Sequence, residues 1–527
     1  MNTLPSLLRH RADTGPDDVF LVFQGSDARV EITYADMADR AQSTAAALSA
    51  LGVTAGERVV AAVTNSVEFF EIWFGTVELG AVFVPVNPLN AADEICWILT
   101  DTRAMLAIGN DDTVETLRAG AQSAGGDVSV VRVDDVAAHA RAIGNSGAAT
   151  YPAASSKIAP TDAAAILYTS GTTSRPKGVV VTHANYLHAG TEVARHLDLG
   201  SDDRWLVVLP LFHANAQYYC TMSAMVAGAS IAVGHRFSAS NWARWAHELR
   251  PTLASLFAAP VRMILRAPRT DDDGRNGLRA TLFAQHLDAD DVADFESTFD
   301  CPLIQLYGMT ETIAPATFNQ LGPDRRADRI GPALGGRVLR VVDAAGNDVA
   351  DGEVGELLVG GLPGQSLMAG YLNNPDATAS AMADGWLHTG DLVAVDADGS
   401  YRFVDRAKDM IKRSGENIAA SEIERVVDAH PAVAESAAVG VADPVYDEAI
   451  VVHAVLAPGA QASPDDIISW CAQRLARFKV PDAVVLCTEL PRTSVGKVRK
   501  ADLRQPSQFD STTTTFTAST QSQGVLS

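Results

Sequence analysis

Tyr168-Thr169-Ser170-Gly171-Thr172-Thr173-Ser174-Arg175-Pro176-Lys177-Gly178 packs five Ser/Thr hydroxyls, two glycines and a lysine into eleven residues, directly after the apolar run Ala163 to Leu167. The run reads as a strand and the segment after it as a phosphate-gripping loop. Glycine lets backbone amides approach an anion, hydroxyls donate to phosphate oxygens, and lysine adds a mobile positive charge. The guest implied is a nucleotide polyphosphate, with Thr169, Ser170, Gly171, Thr172, Thr173 and Lys177 as its holders. The P-loop of NTPases is excluded, because its lysine follows a Gly and precedes Ser or Thr, whereas Lys177 precedes Gly178. A Ser/Thr-rich surface connection is the plainer alternative. The strand before and Val179-Val180-Val181 after argue against it.

Outward from the loop, helix and strand patterns alternate. Thr33, with Asp36 three residues on, caps a helix running to about Leu51, and Arg58 to Thr64 reads as a strand. Val67 to Leu79 is an apolar-rich helix stopped at Gly80, and Ala81 to Val86 a buried strand closed by Asn87-Pro88. These are βαβ units of a parallel sheet, whose ligands gather at the carboxyl ends of the strands. Beyond Gly385, Trp386-Leu387-His388-Thr389-Gly390-Asp391 leads into short strands at Leu392 to Val395 and Tyr401 to Val404. After Asp405-Arg406 the texture changes. Ser421 to Glu424 reads as a capping box, Ser463-Pro464-Asp465-Asp466 opens a second helix, and strands lie at Ser436 to Val441, Ile450 to Leu456 and Ala483 to Cys487.

The expected fold is therefore a large N-terminal α/β domain (1–407) with mostly parallel sheets flanked by helices, and a small α+β C-terminal domain (408–505). A polar tail (506–527) is expected to be disordered. With 527 residues, 47% hydrophobic, the chain exceeds a single core. No apolar run is long enough to span a membrane, and the N-terminus lacks signal or transit character, so a cytoplasmic location is expected. Five scattered cysteines without a C-x-x-C pair argue against a disulfide frame or a zinc site. A net charge of −23 works against nucleic-acid binding, which leaves the nucleotide as a small-molecule substrate.

Three further signals accompany the loop. In order, Tyr307-Gly308-Met309-Thr310-Glu311, Thr389-Gly390-Asp391 and Pro491-Arg492-Thr493-Ser494-Val495-Gly496-Lys497 resemble the Y-G-x-T-E, T-G-D and P-R-T-x-x-G-K motifs of the adenylate-forming superfamily: acyl-CoA synthetases, peptide-synthetase adenylation domains and luciferases. The loop itself is similar to that family's Y-T-S-G-T-T-G-x-P-K-G. The resemblance runs from about Ile32 to Arg504 and implies the acyl-CoA synthetase fold. Tyr307-Gly308-Met309-Thr310-Glu311-Thr312-Ile313, with Ser174, Phe283-Ala284-Gln285-His286, Asp405 and Asp447 at positions where the family usually has other residues, resembles its carnitine/crotonobetaine-CoA ligase-like branch.

The resemblance implies a role for each matched residue. Tyr307 stacks on adenine, Thr310 touches the α-phosphate, and Glu311 holds Mg²⁺. Asp391 accepts from the ribose hydroxyls with Arg406 nearby. Lys412 and Asn417 face the nucleotide, Lys408 is the hinge, and Gly415 approaches the thiol tunnel. Lys497 is the catalytic cation bridging the reacting carboxylate and the α-phosphate. His213, Gln217, Phe283, Gly308 and Met309 are the expected substrate-binding residues. No aspartate stands in Pro210 to Ala214 to hold an amino acid's ammonium.

The implied reaction is ATP-dependent, AMP-forming ligation of a carboxylic acid to CoA through an acyl-AMP, with ATP and CoA as cosubstrates and Mg²⁺ as cofactor. An acyl-AMP ligase that leaves transfer to a carrier protein stays open, as does a nucleotide-binding pseudoenzyme. The latter would be expected to lose Lys177, Glu311 or Lys497, all present here. The acid, a carrier-protein acceptor and a homodimeric state are left open by the sequence.

Overall fold

The computed structural model describes residues 2–26, 28–125, 127–146, 157–169, 175–285, 287, 289–322, 325–326, 328–407, 409–413, 416–443, 447–492 and 498–504, without the side chains of Asn145, Ser146, Glu416, Asn417 and Asp447. The expected tail at 506–527 lies outside them. The chain forms two compact units. One comprises Met1–Arg340, Leu358–Thr389 and Val395–Arg402, and the other Val341–Leu357, Gly390–Ala394 and Phe403–Ser527. The C-terminal unit thus begins at Phe403 in the last of these segments, close to 408, and also takes in two earlier stretches that a linear reading assigns to the N-terminal domain.

The larger unit is built on two sheets. In one, the order is Thr317–Phe318, Leu303–Tyr307, Ala280–Ala284, Leu253–Phe257, Arg204–Val207, Ser230–Gly234, Val19–Gln24 and Arg29–Thr33. The inner pairs are parallel and both edge pairs antiparallel. The other runs Gly370–Tyr371, Lys177–Thr182, Ala163–Thr169, Val82–Pro85, Arg58–Ala62, Leu106–Gly109 and Ser129–Arg132. Its parallel part ends where Ala163–Thr169 turns back antiparallel through Lys177–Thr182.

Local chemistry explains the helices. Thr33 caps Tyr34–Ala50, its hydroxyl accepting from Asp36 N at 3.1 Å while the Asp36 carboxylate accepts from Thr33 N. Ser66 caps Val67–Glu78, which is buried on nearly every face. Such a helix belongs to the interior, and each fully buried large side chain contributes about 1.5–3 kcal/mol. Gly75 lets it close on its neighbour, since a Cβ there would come within 2.8 Å of Thr44. Its Trp73 packs at 5.4 Å on Tyr186, and Tyr186 edge-on at 5.5 Å on Tyr218, so an aromatic chain runs from the core toward the residues after His213.

The smaller unit carries the sheet Glu416–Ile418, Ile411–Arg413, Asp447–Leu456, Val433–Asp443, with Ala483–Cys487 added parallel to Asp447–Leu456. Ser463 caps Pro464–Ala472 with Asp466, as expected. The capping box at Ser421 is not formed. The helix is Ala420–Asp428 with Ala419 at its cap and no side-chain cap bond. Asp405 substitutes from outside the helix: its carboxylate accepts from Ser421 N at 3.0 Å, while the Ser421 hydroxyl donates to Val404 O. Glu424 is engaged by Ala438 N at 2.7 Å and Lys500 at 2.8 Å, which leaves it unavailable to the cap. Thr389-Gly390-Asp391 does not precede a strand but lies inside one, Trp386–Val395, with Gly390 at φ 69°.

Candidate active site

Residues 170–174, the centre of the phosphate loop, lie outside the described residues; its two shoulders are held firmly. Thr169 pairs with Lys177 across the antiparallel strands. The Tyr168 hydroxyl donates to Asp101 at 2.7 Å, and Asn373 donates to the Asp101 carbonyl at 2.6 Å. On the far shoulder the Trp97 indole donates to Pro176 O at 3.1 Å, and the Arg175 guanidinium sits 4.6 Å from the centre of the same ring.

Lys177 is brought to Glu311 by a residue the sequence reading did not single out. Its Nζ lies 4.8 Å from the centroid of Tyr371, whose hydroxyl donates to Glu311 Oε1 at 2.9 Å. Burial and the Glu311 carboxylate push the Tyr371 phenol well above its ordinary range, so it stays a donor. Glu311 is 5% exposed. It sits in a 3₁₀ turn, Thr310–Thr312, that follows the strand Leu303–Tyr307. Ala316 N donates to Tyr307 O, Met309 N to the Thr312 hydroxyl and Met368 N to Glu311 O. Ile313 then takes φ 66°, ψ −77°, a strained γ-turn geometry for a β-branched residue. Among the described residues no three His, Cys, Asp or Glu gather as a metal cage.

Facing this turn is a π-helix, Asn215–Thr221, a rare geometry enriched at functional sites. Asn65 fixes the approach to it, accepting from Leu211 N at 2.8 Å and donating to Leu209 O and Gly234 O. His213 is half-buried, its ring 4.1 Å from that of Phe212, and its carbonyl accepts from Gln217 N. Gln217, expected to meet substrate, is wholly buried and occupied: it accepts from the Tyr186 hydroxyl and donates to Leu211 O at 2.8 Å. Phe283, likewise expected at the acid pocket, is 1% exposed and packs in the core with Trp242, Leu256 and Phe295. Next to it Gln285 holds φ 79° where the resemblance expects glycine, its carbonyl accepting from Gln305 at 2.8 Å. Gly308 leaves room for the Tyr219 hydroxyl, 2.7 Å from where a Cβ would stand.

In the smaller unit Asp391, 2% exposed, pairs with Arg406 at 2.9 Å. Lys412 projects an exposed side chain, and its backbone pairs with that of Asn417, whose side chain lies outside the described residues together with Lys408, Gly415 and Lys497.

Comparison with known proteins matches this architecture throughout. Residues 8–372 match the AMP-binding enzyme family and residues 422–497 the AMP-binding enzyme C-terminal domain. The crotonobetaine/carnitine–CoA ligase of Salmonella agona is 33% identical over 497 residues, covering 93% of this chain and 96% of that protein. ATP-bound MatB from Rhodopseudomonas palustris superposes with a TM-score of 0.84 at 27% identity, over 96% of this chain and 98% of MatB. The anthranilate CoA ligase AuaEII with anthranoyl-AMP gives 0.85 at 26%, over 95% and 96%. The buried glutamate beside the phosphate-loop lysine, on this two-unit chain, belongs to a member of the AMP-binding enzyme family.

Proposed function

We propose that this chain activates a carboxylic acid with ATP as an acyl-AMP and passes the acyl group to CoA, releasing AMP. The observation that carries the reading is the Lys177–Tyr371–Glu311 chain, a cation and a buried carboxylate fixed by one phenol at the edge of the phosphate loop. A carboxylate oxygen is a poor leaving group, so the acid attacks the α-phosphorus and pyrophosphate departs. Lys177, with Thr169, Ser170, Gly171, Thr172 and Thr173, takes the charge of the departing phosphates. Tyr307 stacks on adenine, Thr310 touches the α-phosphate, and Asp391, held by Arg406, receives the ribose hydroxyls. Lys412 and Asn417 face the nucleotide during this step. Lys497 places a cation where the two anions meet, which lowers the barrier more than it helps either ground state. The small unit turns about Lys408 between the half-reactions. His213 and Met309 line the acid.

Glu311 suits a hard cation: it is a buried carboxylate whose Oε1 is fixed by the Tyr371 hydroxyl, and among the described residues no three His, Cys, Asp or Glu gather as a metal cage. Mg²⁺ there would complete its shell with phosphate oxygens and water, and would neutralise charge on the pyrophosphate as it leaves.

The test is pyrophosphate release with ATP and Mg²⁺ across short, medium, aryl, polycyclic and betaine-type acids, with and without CoA, followed by mass analysis. Acid-dependent pyrophosphate with acyl-CoA supports the ligase. Acyl-AMP that accumulates under saturating CoA overturns the CoA step and favours a carrier-protein acceptor, and silence across the panel overturns the enzyme reading.

A further inference from the structure

One face of the helix Ala92–Thr102, which no sequence motif marks, reaches both stems of the phosphate loop and the segment that carries Tyr371. Trp97 and Asp101 stand four residues apart and so share that face, while Ile95, Ile98, Leu99 and Thr102 of the same helix are buried. The incoming stem meets Asp101, whose Oδ2 accepts from the Tyr168 hydroxyl at 2.7 Å, one residue before Thr169. The outgoing stem meets Trp97, whose indole donates to Pro176 O at 3.1 Å while the Arg175 guanidinium lies 4.6 Å from the ring centre. The third segment returns to Asp101: Asn373, two residues after Tyr371, donates to Asp101 O at 2.6 Å and to its Oδ1 at 3.3 Å.

The sheet ties the same three segments together. Thr169 pairs with Lys177, Tyr168 with Gly178 and Tyr371 with Val179, and Leu372 N donates to Gly178 O at 2.8 Å. Gly178 is the crossing point. A Cβ there would stand 3.1 Å from Tyr168 Cζ and 3.4 Å from Leu372 Cβ, so the missing side chain lets the Tyr168 ring cross the outgoing strand toward the helix. Trp97, Tyr168 and Leu372 pack on one apolar cluster with Ile95, Ile98 and Ile166. Burial and the bond to the Asp101 carboxylate push the Tyr168 phenol well above its ordinary range, so the hydroxyl keeps its proton and donates.

A loop that grips polyphosphate gains from being held in one geometry, and its freedom is set at its stems. Lys177 and Glu311 share the same supports, because Tyr371 stands between them and lies two residues from Asn373. Losing the Asp101 carboxylate frees the incoming stem and weakens the hold on the Tyr371 segment. Losing the Trp97 N–H frees the outgoing stem alone.

On the reading that this chain is an acid-activating ligase, we propose that Asp101 and Trp97 are positioning residues for the polyphosphate, acting through Tyr168, Asn373 and Pro176 on the phosphate loop and Lys177. Their contribution is confined to the steps in which ATP or pyrophosphate is held. Passage of the acyl group from acyl-AMP to CoA involves neither and does not draw on them.

The test uses the full chain and the acid that releases most pyrophosphate across the panel, in three assays: ATP consumption, ATP formation from the matching acyl-AMP and pyrophosphate, and thioester formation from that acyl-AMP and CoA. Asp101→Ala and Tyr168→Phe are each expected to raise KM for ATP and for pyrophosphate about tenfold, the scale of one hydrogen bond to a charged group, with KM for the acid and the thioester step held within about twofold. The double variant should add little, since both changes delete the same bond. Asp101→Asn keeps an acceptor oxygen for the hydroxyl and should recover most of the loss. Trp97→Phe keeps a ring beneath Arg175 and deletes only the bond to Pro176 O, so it reports even where Asp101→Ala fails to fold; its expected rise is about two- to tenfold. An unchanged KM for pyrophosphate in Asp101→Ala or in Trp97→Phe overturns the inference for that residue. A thioester step that falls as far as ATP formation shows a structural role only, overturning the inference and leaving the ligase standing. Where CoA accepts nothing, the KM for pyrophosphate against that for the acid decides. Silence on every acid overturns the ligase reading, and the inference falls with it.

Discussion

Replacing Gly308 by alanine tests whether the turn that carries Glu311 is set by close packing against the π-helix. An alanine Cβ would meet the Tyr219 hydroxyl at 2.7 Å, Pro315 Cα at 3.2 Å and the Thr312 hydroxyl at 3.3 Å. Ordinary contact starts at 3.4 Å, so the first clash demands a displacement of about 0.7 Å (3.4 − 2.7), whereas the other two yield by a few tenths. Tyr219 has little room to retreat, being 5% exposed beside the wholly buried Tyr218 and Cys220. The strain therefore falls on the turn, at an expected cost of about 1–3 kcal/mol in stability. A misplacement approaching 1 Å costs on the order of a hundredfold in rate, so acid-dependent ATP–pyrophosphate exchange should drop about 10- to 100-fold. Tyr219→Phe removes only the offending oxygen. The double variant should regain most of the loss in both thermal unfolding and exchange, with a coupling of about 1–2 kcal/mol across the four-protein cycle. Additive effects, or a Gly308→Ala protein with full exchange activity, would refute the packing argument.

Tyr371→Phe keeps the ring beneath Lys177 but deletes the 2.9 Å hydrogen bond to Glu311, a bond to a charged group worth about 1.5–3 kcal/mol. Mg²⁺ titrations of pyrophosphate release should shift to higher metal concentration, with kcat/KM for ATP down about tenfold or more; an unchanged Mg²⁺ midpoint would count against Glu311 as the metal ligand. For His183, burial lowers the imidazole from 6.5 to about 4 while its Nδ1 accepts from Leu4 N at 3.3 Å. The unfolded chain therefore takes up this proton first. Stability is at its full value above pH 6.5 and is lost as the pH falls toward 4, by roughly 3 kcal/mol in all from this group. His183→Gln should flatten the acid limb of a pH series of chemical unfolding curves, and an unaltered limb would show that the ring's titration carries no such weight.

What the sequence disclosed and what it withheld separate along one physical line. Thr33 with Asp36 and Ser463 with Asp466 satisfy backbone donors three residues away, so the helices they open are legible from spacing alone. The same rule applied at Ser421 fails because a distant carboxylate, Asp405, reaches the cap first, and because Glu424 finds a better partner in Lys500. Lys177 and Glu311 were each marked by their motifs, but Tyr371, which joins them, is 194 residues from Lys177 (371 − 177) and belongs to a two-residue strand no periodicity could reveal. Gln217 and Phe283 show the converse error. Their positions beside the motifs suggested substrate, yet a buried amide with two partners and a phenyl ring in a close-packed core have nothing left to offer a ligand. Arg337 is the clearest case. No motif marks it in the sequence; only folding converges four carbonyl oxygens on its guanidinium and leaves its Nε–H buried without a partner among the described residues. Motifs report where chemistry is carried out on groups all substrates share, such as phosphate and carboxylate. Selectivity for one acid is set by side chains whose only requirement is to reach a particular point in space, and many sequence positions can meet it.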